Sequence, residues 1–124
     1  MAAAANLCLM LGLAAAPEVI GSAATLSWTH SIEKTLWTEH WLATPDGLVL
    51  DAASVQGSGA GMEPPDGSIL KDGAWHWRPT VPPQSELTLG NAGVTAPWRL
   101  CPDGGSCRDL VAPAGEPIKL FPCP

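Results

Sequence analysis

Thr25 to Val55 reads TLSWTHSIEKTLWTEHWLATPDGLVLDAASV. Large apolar residues alternate with polar ones through Leu26, Trp28, His30 and Ile32, against Thr25, Ser27, Thr29 and Ser31. A period of two is the mark of a half-buried strand. A second run, Leu36 to Ala43, follows Lys34-Thr35. Pro45-Asp46-Gly47 then supplies a turn, and Leu48 to Val55 reads as a third strand. Three strands with short connections predict an antiparallel meander.

A two-residue loop at Lys34-Thr35 places Ile32 opposite Trp37, His30 opposite Glu39, and Trp28 opposite Trp41. All three pairs would share one face. Ser31–Thr38 and Thr29–His40 would share the other. A His30–Glu39 pair between indole layers has three readings: a buried polar pair fixing the hairpin register, a binding site, or a catalytic base. Burial lowers the pKa of such a histidine and a facing carboxylate raises it, so the pattern leaves the protonation state open.

Outward from this meander, Gly57 to Gly73 is a loop rich in Gly, Pro and Asp, interrupted by Ile69-Leu70. Ala74 to Arg78 carries Trp75 and Trp77 on one side and His76 on the other. Glu86–Gly90, Ala96–Cys101, Cys107–Val111 and Pro117–Phe121 are further short strand candidates. No window after Pro17 sustains a helical period. The pattern predicts a mainly β single domain over residues 1–124, a small antiparallel β-sandwich or a partly closed barrel.

The totals agree. The chain has 124 residues, enough for one modest core. Six tryptophans against one Phe and no Tyr concentrate its aromatic surface in one residue type. A net charge of −6 argues against nucleic acid as a partner. The most apolar stretch, Leu7 to Ala16, is too short to span a bilayer. Residues 1–16 are either a signal-like segment ending at Ala14-Ala15-Ala16, or the site of a first strand at Leu7-Cys8-Leu9. The lack of Lys or Arg in MAAAAN and the proline at position 17 disfavour cleavage.

The four cysteines bear on the same choice. Cys101 and Cys107 flank PDGGS, a loop tight enough for a disulfide. Cys8 and Cys123 remain, one near each end. Removing Cys8 with a signal would leave an odd count, so the even count favours keeping the N-terminus, and pairing both sets predicts an oxidising compartment. The opposing reading is four reduced, buried thiols.

Other motifs carry less. His30 and Ser31 are strand neighbours on opposite faces, so they cannot form a dyad. Gly57-Ser58-Gly59-Ala60-Gly61 is not a nucleophile elbow and leads into Pro64-Pro65 instead of a helix. Cys101 and Cys107 are too widely spaced for a zinc knuckle. His30, Glu39, His40 and His76 could gather at a metal only if the sheet brought them to one face. The residues thus point to no cofactor.

The run W-T-H-S-I-E-K-T at Trp28 to Thr35, with Glu39, P-D-G-L-V-L and G-S-G-A-G-M, resembles the bacterial domain of unknown function 1850 family. The likeness is clearest over residues 25–62. Ile32 stands where Val is usual in the family, and Leu36-Trp37 where Pro-Val is common. The resemblance implies binding residues at His30, Ser31, Glu33, Lys34, Glu39, Gly59 and Gly61, and no established activity. It also implies a periplasmic or otherwise extracytoplasmic accessory protein whose partners are subunits of a TRAP-type tripartite solute transporter. The expectation is therefore a non-catalytic binding domain of the cell envelope. The alternatives are a small hydrolase or metal-dependent enzyme using His30 and Glu39, and a purely structural envelope protein.

Overall fold

The computed structural model describes residues 5–29, 35–56, 65–91 and 97–124. The predicted meander is its centre. Strands β3 (Ala23–Thr29), β4 (Leu36–Thr44) and β5 (Gly47–Gln56) pair antiparallel in chain order. They lie within a seven-stranded sheet ordered β10-β9-β3-β4-β5-β7-β6. Its other members are β6 (Ile69–Lys71), β7 (Ala74–Trp77), β9 (Trp98–Pro102) and β10 (Arg108–Leu110). A second sheet, ordered β2-β1-β11-β8, holds β1 (Asn6–Leu11), β2 (Glu18–Gly21), β8 (Leu87–Leu89) and β11 (Ile118–Cys123). The two antiparallel sheets form a β-sandwich that does not close into a barrel.

Leu7 and Leu9 of β1, with Ile118 and Leu120 of β11, cluster with Leu26, Leu48, Leu50 and Leu100 of the larger sheet in a single core. Residues 6–11 thus occupy an interior strand of the smaller sheet, between β2 and β11. The exposed edge strand β2 escapes sequence reading because its four residues show no buried alternation. Cys8 is bonded to Cys123 and Cys101 to Cys107, the pairing expected from their number and placement. A bidentate ion pair, Arg108 on β10 to Glu18 on β2 at 2.7 and 2.9 Å, ties the two sheets along one side.

The β3–β4 register differs from the expected one. Trp28 faces Trp37 and not Trp41, while Leu26 faces Glu39 and Ala24 faces Trp41. The slip is four residues, and this register is not the one that a two-residue loop at Lys34-Thr35 would set, since Thr29 pairs with Leu36. The hairpin lacks the Gly or Asn that would enforce a tight reversal. An even slip leaves every side chain on its expected face. Glu39 therefore has Leu26, and not His30, as its β3 neighbour; His30 itself lies outside the described residues.

The β4–β5 turn follows its chemistry closely. Thr44 pairs with Gly47 across Pro45-Asp46, and the Thr44 hydroxyl donates to the Gly47 carbonyl at 2.8 Å. Gly47 sits at φ +131°, and a Cβ there would lie 2.7 Å from the Gln84 carbonyl oxygen. That close approach lets Leu48 and Gln84 exchange two backbone hydrogen bonds, at 2.7 and 2.8 Å.

Candidate functional site

Each face of the larger sheet carries a distinct cluster. On the inward face the register builds a row across the strands. Trp28 is opposite Trp37, Trp37 opposite Val55, Val55 opposite Trp75, and Trp75 opposite Leu70. Trp98 extends the row on the other side, with its ring centroid 4.9 Å from that of Trp28. Trp28 and Trp37 stack nearly parallel, at 6.0 Å and 8°. The next row runs Leu100, Leu26, Glu39, Ala53, Trp77. All six tryptophans consequently share one face. Only Trp41 belongs to the buried core, with Trp98 packed against it. Trp28, Trp37, Trp75 and Trp77 are partly exposed and stand outside that core.

Glu39 sits in this apolar field. Its neighbours along β4 on the same face are Trp37 and Trp41, and across the ladders Leu26 and Ala53. Among the described residues it accepts one hydrogen bond, from the Trp41 indole N–H at 3.2 Å. Burial pushes its pKa above the ordinary carboxylate value, and the indole donor offsets only part of that. Among the described residues of the inward face, Glu39 is the single carboxylate. The only cation there, Arg108, is already engaged by Glu18.

The outward face is polar. Thr25 is opposite His40, and Ser27, Thr38, Ser54 and His76 form one row. His40 is held from both sides. Nδ1 lies 2.7 Å from Asp51 Oδ1, and Nε2 lies 3.0 Å from both oxygens of Asp103. A neutral imidazole donates from one nitrogen only, so two facing carboxylates favour the imidazolium. Burial pulls the His40 pKa down, but the hydrogen bonds and charges of Asp51 and Asp103 outweigh it and the net shift is upward.

Two local devices deliver these carboxylates. His40 pairs with Ala52 and Trp41 with Leu50, so Asp51 is an extra residue, a β-bulge. The bulge changes the phase of β5: Leu48 and Leu50 are buried before it, and Ala53 and Val55 after it. Asp51 and Ala52 both turn outward as a result, which aims Asp51 at His40. Asp103 stands on the loop closed by Cys101–Cys107, and its N–H donates to the Ala23 carbonyl at 3.1 Å. A shallow groove of about 180 Å³ beside His40 is lined by Thr25, Thr38, Ser54 and His76.

Glu39 faces inward while His40 and His76 face outward, so these three do not gather at one metal; His30 lies outside the described residues. Among the described residues no group of three or more His, Cys, Asp or Glu is placed to hold a metal ion. Of the expected binding residues, Glu39 is described; His30, Ser31, Glu33, Lys34, Gly59 and Gly61 lie outside the described residues. Sequence reading missed the clamp formed by Asp51 and Asp103. The one signal for it was the change of apolar phase between Leu50 and Ala53, which marks a bulge.

No helix among the described residues is long and apolar enough to cross a membrane. No curated protein and no solved structure matches the chain. The model of a domain of unknown function (DUF1850) matches residues 24–110, from β3 through β10, beyond the 25–62 stretch where the motif is clearest. The chain belongs to this family.

Proposed function

We propose that this protein is a non-catalytic binding domain of the cell envelope that serves a TRAP-type solute transporter as an accessory subunit. The observation that carries this reading is the row of partly exposed tryptophans, which extends the sheet's apolar face past the protein's own core. Contiguous apolar surface of that kind marks interaction sites. Two disulfides suggest an extracytoplasmic protein, and the periplasm is where a tripartite transporter meets its soluble subunits. Each sheet holds one disulfide and the Arg108–Glu18 ion pair links the two, which suits a scaffold that presents a preformed surface.

The test is made in the native host with an epitope-tagged chain. Fractionation should place it with periplasmic markers and all four cysteines oxidised. Mild cross-linking should capture transporter subunits encoded nearby. Recovery from the cytoplasm with free thiols would overturn the reading.

A further inference from the structure

The proposed binding role leaves open what the aromatic face binds, and Glu39 answers that question chemically. A carboxylate set among indoles has few explanations in packing terms. Its neighbours along β4 and across the ladders are Trp37, Trp41, Leu26 and Ala53, and a neutral apolar residue of similar size would fill the position without desolvating a charge. The carboxylate has room for several hydrogen bonds and, among the described residues, receives one, at 3.2 Å. No cation of the inward face among the described residues is free to neutralise it, since Arg108 is committed to Glu18.

We infer that the tryptophan row around Glu39 binds a small organic cation, an amine or quaternary ammonium carried on an apolar body. This rests on the reading of the aromatic face as a binding site. Indole is the strongest cation–π partner among the side chains, and partly desolvated cation–π contacts add to the ion pair. The row offers the apolar body a surface as well: Trp98, Trp28 and Trp37 lie next to one another, and Trp75 lies beyond Val55. An anion would meet the Glu39 charge, against which the rows offer indole N–H donors such as that of Trp37, which has no partner among the described residues, and no free cation. A neutral ligand would use the indoles and leave the desolvated carboxylate as it is. A cation alone gains from both features. Because burial raises the Glu39 pKa, cation binding also favours loss of its proton, so affinity should weaken as pH falls through that titration.

The experiment follows intrinsic tryptophan fluorescence of the oxidised full chain. The probes are choline, its neutral tert-butyl isostere, and methyl glucoside. Choline should bind at least about tenfold more tightly than the isostere. Glu39→Gln should abolish that preference while leaving isostere binding unchanged, with folding verified by a thermal melt. His40→Gln, on the opposite face, should keep the preference. Equal affinity for choline and its isostere, a preference retained in Glu39→Gln, or a response to the glucoside alone would each overturn the proposal, as would no response to any probe. None of these outcomes moves the protein out of the envelope or frees its thiols, so the accessory role fails or survives by its own test.

Discussion

An imidazole held between two carboxylates links the protonation of a single residue to the joining of three segments. His40 belongs to β4, Asp51 to β5, and Asp103 to the disulfide loop. Its pKa is raised in the fold, so the clamp contributes fully below the ordinary histidine value of about 6.5 and fades as pH rises through the elevated one. The melting temperature of the wild type should therefore fall over that upper window, and His40→Gln should remove this slope. The side chain is 26% exposed, so the effect should be on the order of 0.5–1 kcal/mol. Parallel melting curves against pH check it; a slope unchanged in the variant would sink the clamp. Glu39 has the same sign for a different reason. Its carboxyl pKa is also raised, so its contribution is greatest below the ordinary carboxylate value and is lost as pH rises through the raised one. Glu39→Gln keeps an acceptor for the Trp41 indole and removes the desolvated charge. It should melt higher than the wild type at neutral pH, and a lower melting point would show that the charge is held by something stabilising.

At the scale of elements, the bulge at Asp51 makes a prediction that runs against intuition. Deleting Asp51 restores regular alternation: Leu50 inward, Ala52 outward, Ala53 inward. The core should survive, and the variant should fold with an intact aromatic face while the upper-pH dependence due to His40 shrinks to what Asp103 supplies. A variant that fails to fold would mean that the bulge sets the twist of β5 and does more than aim one carboxylate. Gly47→Ala is the contrasting case. It places a Cβ against the Gln84 carbonyl at a φ of +131°, and should cost about 1–3 kcal/mol in denaturant melts. The strands of the meander were legible because β3 and β4 alternate and Pro45-Asp46-Gly47 marks the turn from β4 into β5. The β3–β4 register was not, because Trp28 can face Trp37 or Trp41 with equal hydrophobic gain, and the hairpin holds no residue demanding a tight turn. The inward placement of Glu39 was legible, since its parity on β4 follows from Trp37 and Trp41. Its neighbours were not, since they depend on that register. Asp103 was beyond reach for another reason: sixty-three positions separate it from His40, and nothing local announces the contact.

Over the whole molecule, the two disulfides do different work, and their sequence separations say how different. Cys8–Cys123 spans 115 positions and fixes β1 to β11, both in the smaller sheet that covers the core. Constraining so long a loop in the unfolded chain is worth about 4–5 kcal/mol in the chain-entropy model. Cys101–Cys107 spans six positions at the end of the β9–β10 hairpin and is worth about 2 kcal/mol by the same model. A domain of this size has a total stability of about 5–15 kcal/mol, so losing the first removes much of it and losing the second does not. The double variant Cys8→Ser, Cys123→Ser should melt far below the wild type, with β1 and its Leu7 and Leu9 released from the core. The double variant Cys101→Ser, Cys107→Ser should remain folded with its core and tryptophan row intact. Its loss should fall on the outward face, where Asp103 is no longer held against His40 and the pH dependence from the clamp shrinks. Circular dichroism melts of both variants across the pH range measure all of this together. If the short-loop variant proved the less stable, the hairpin and not the β1–β11 closure would be what keeps the two sheets together.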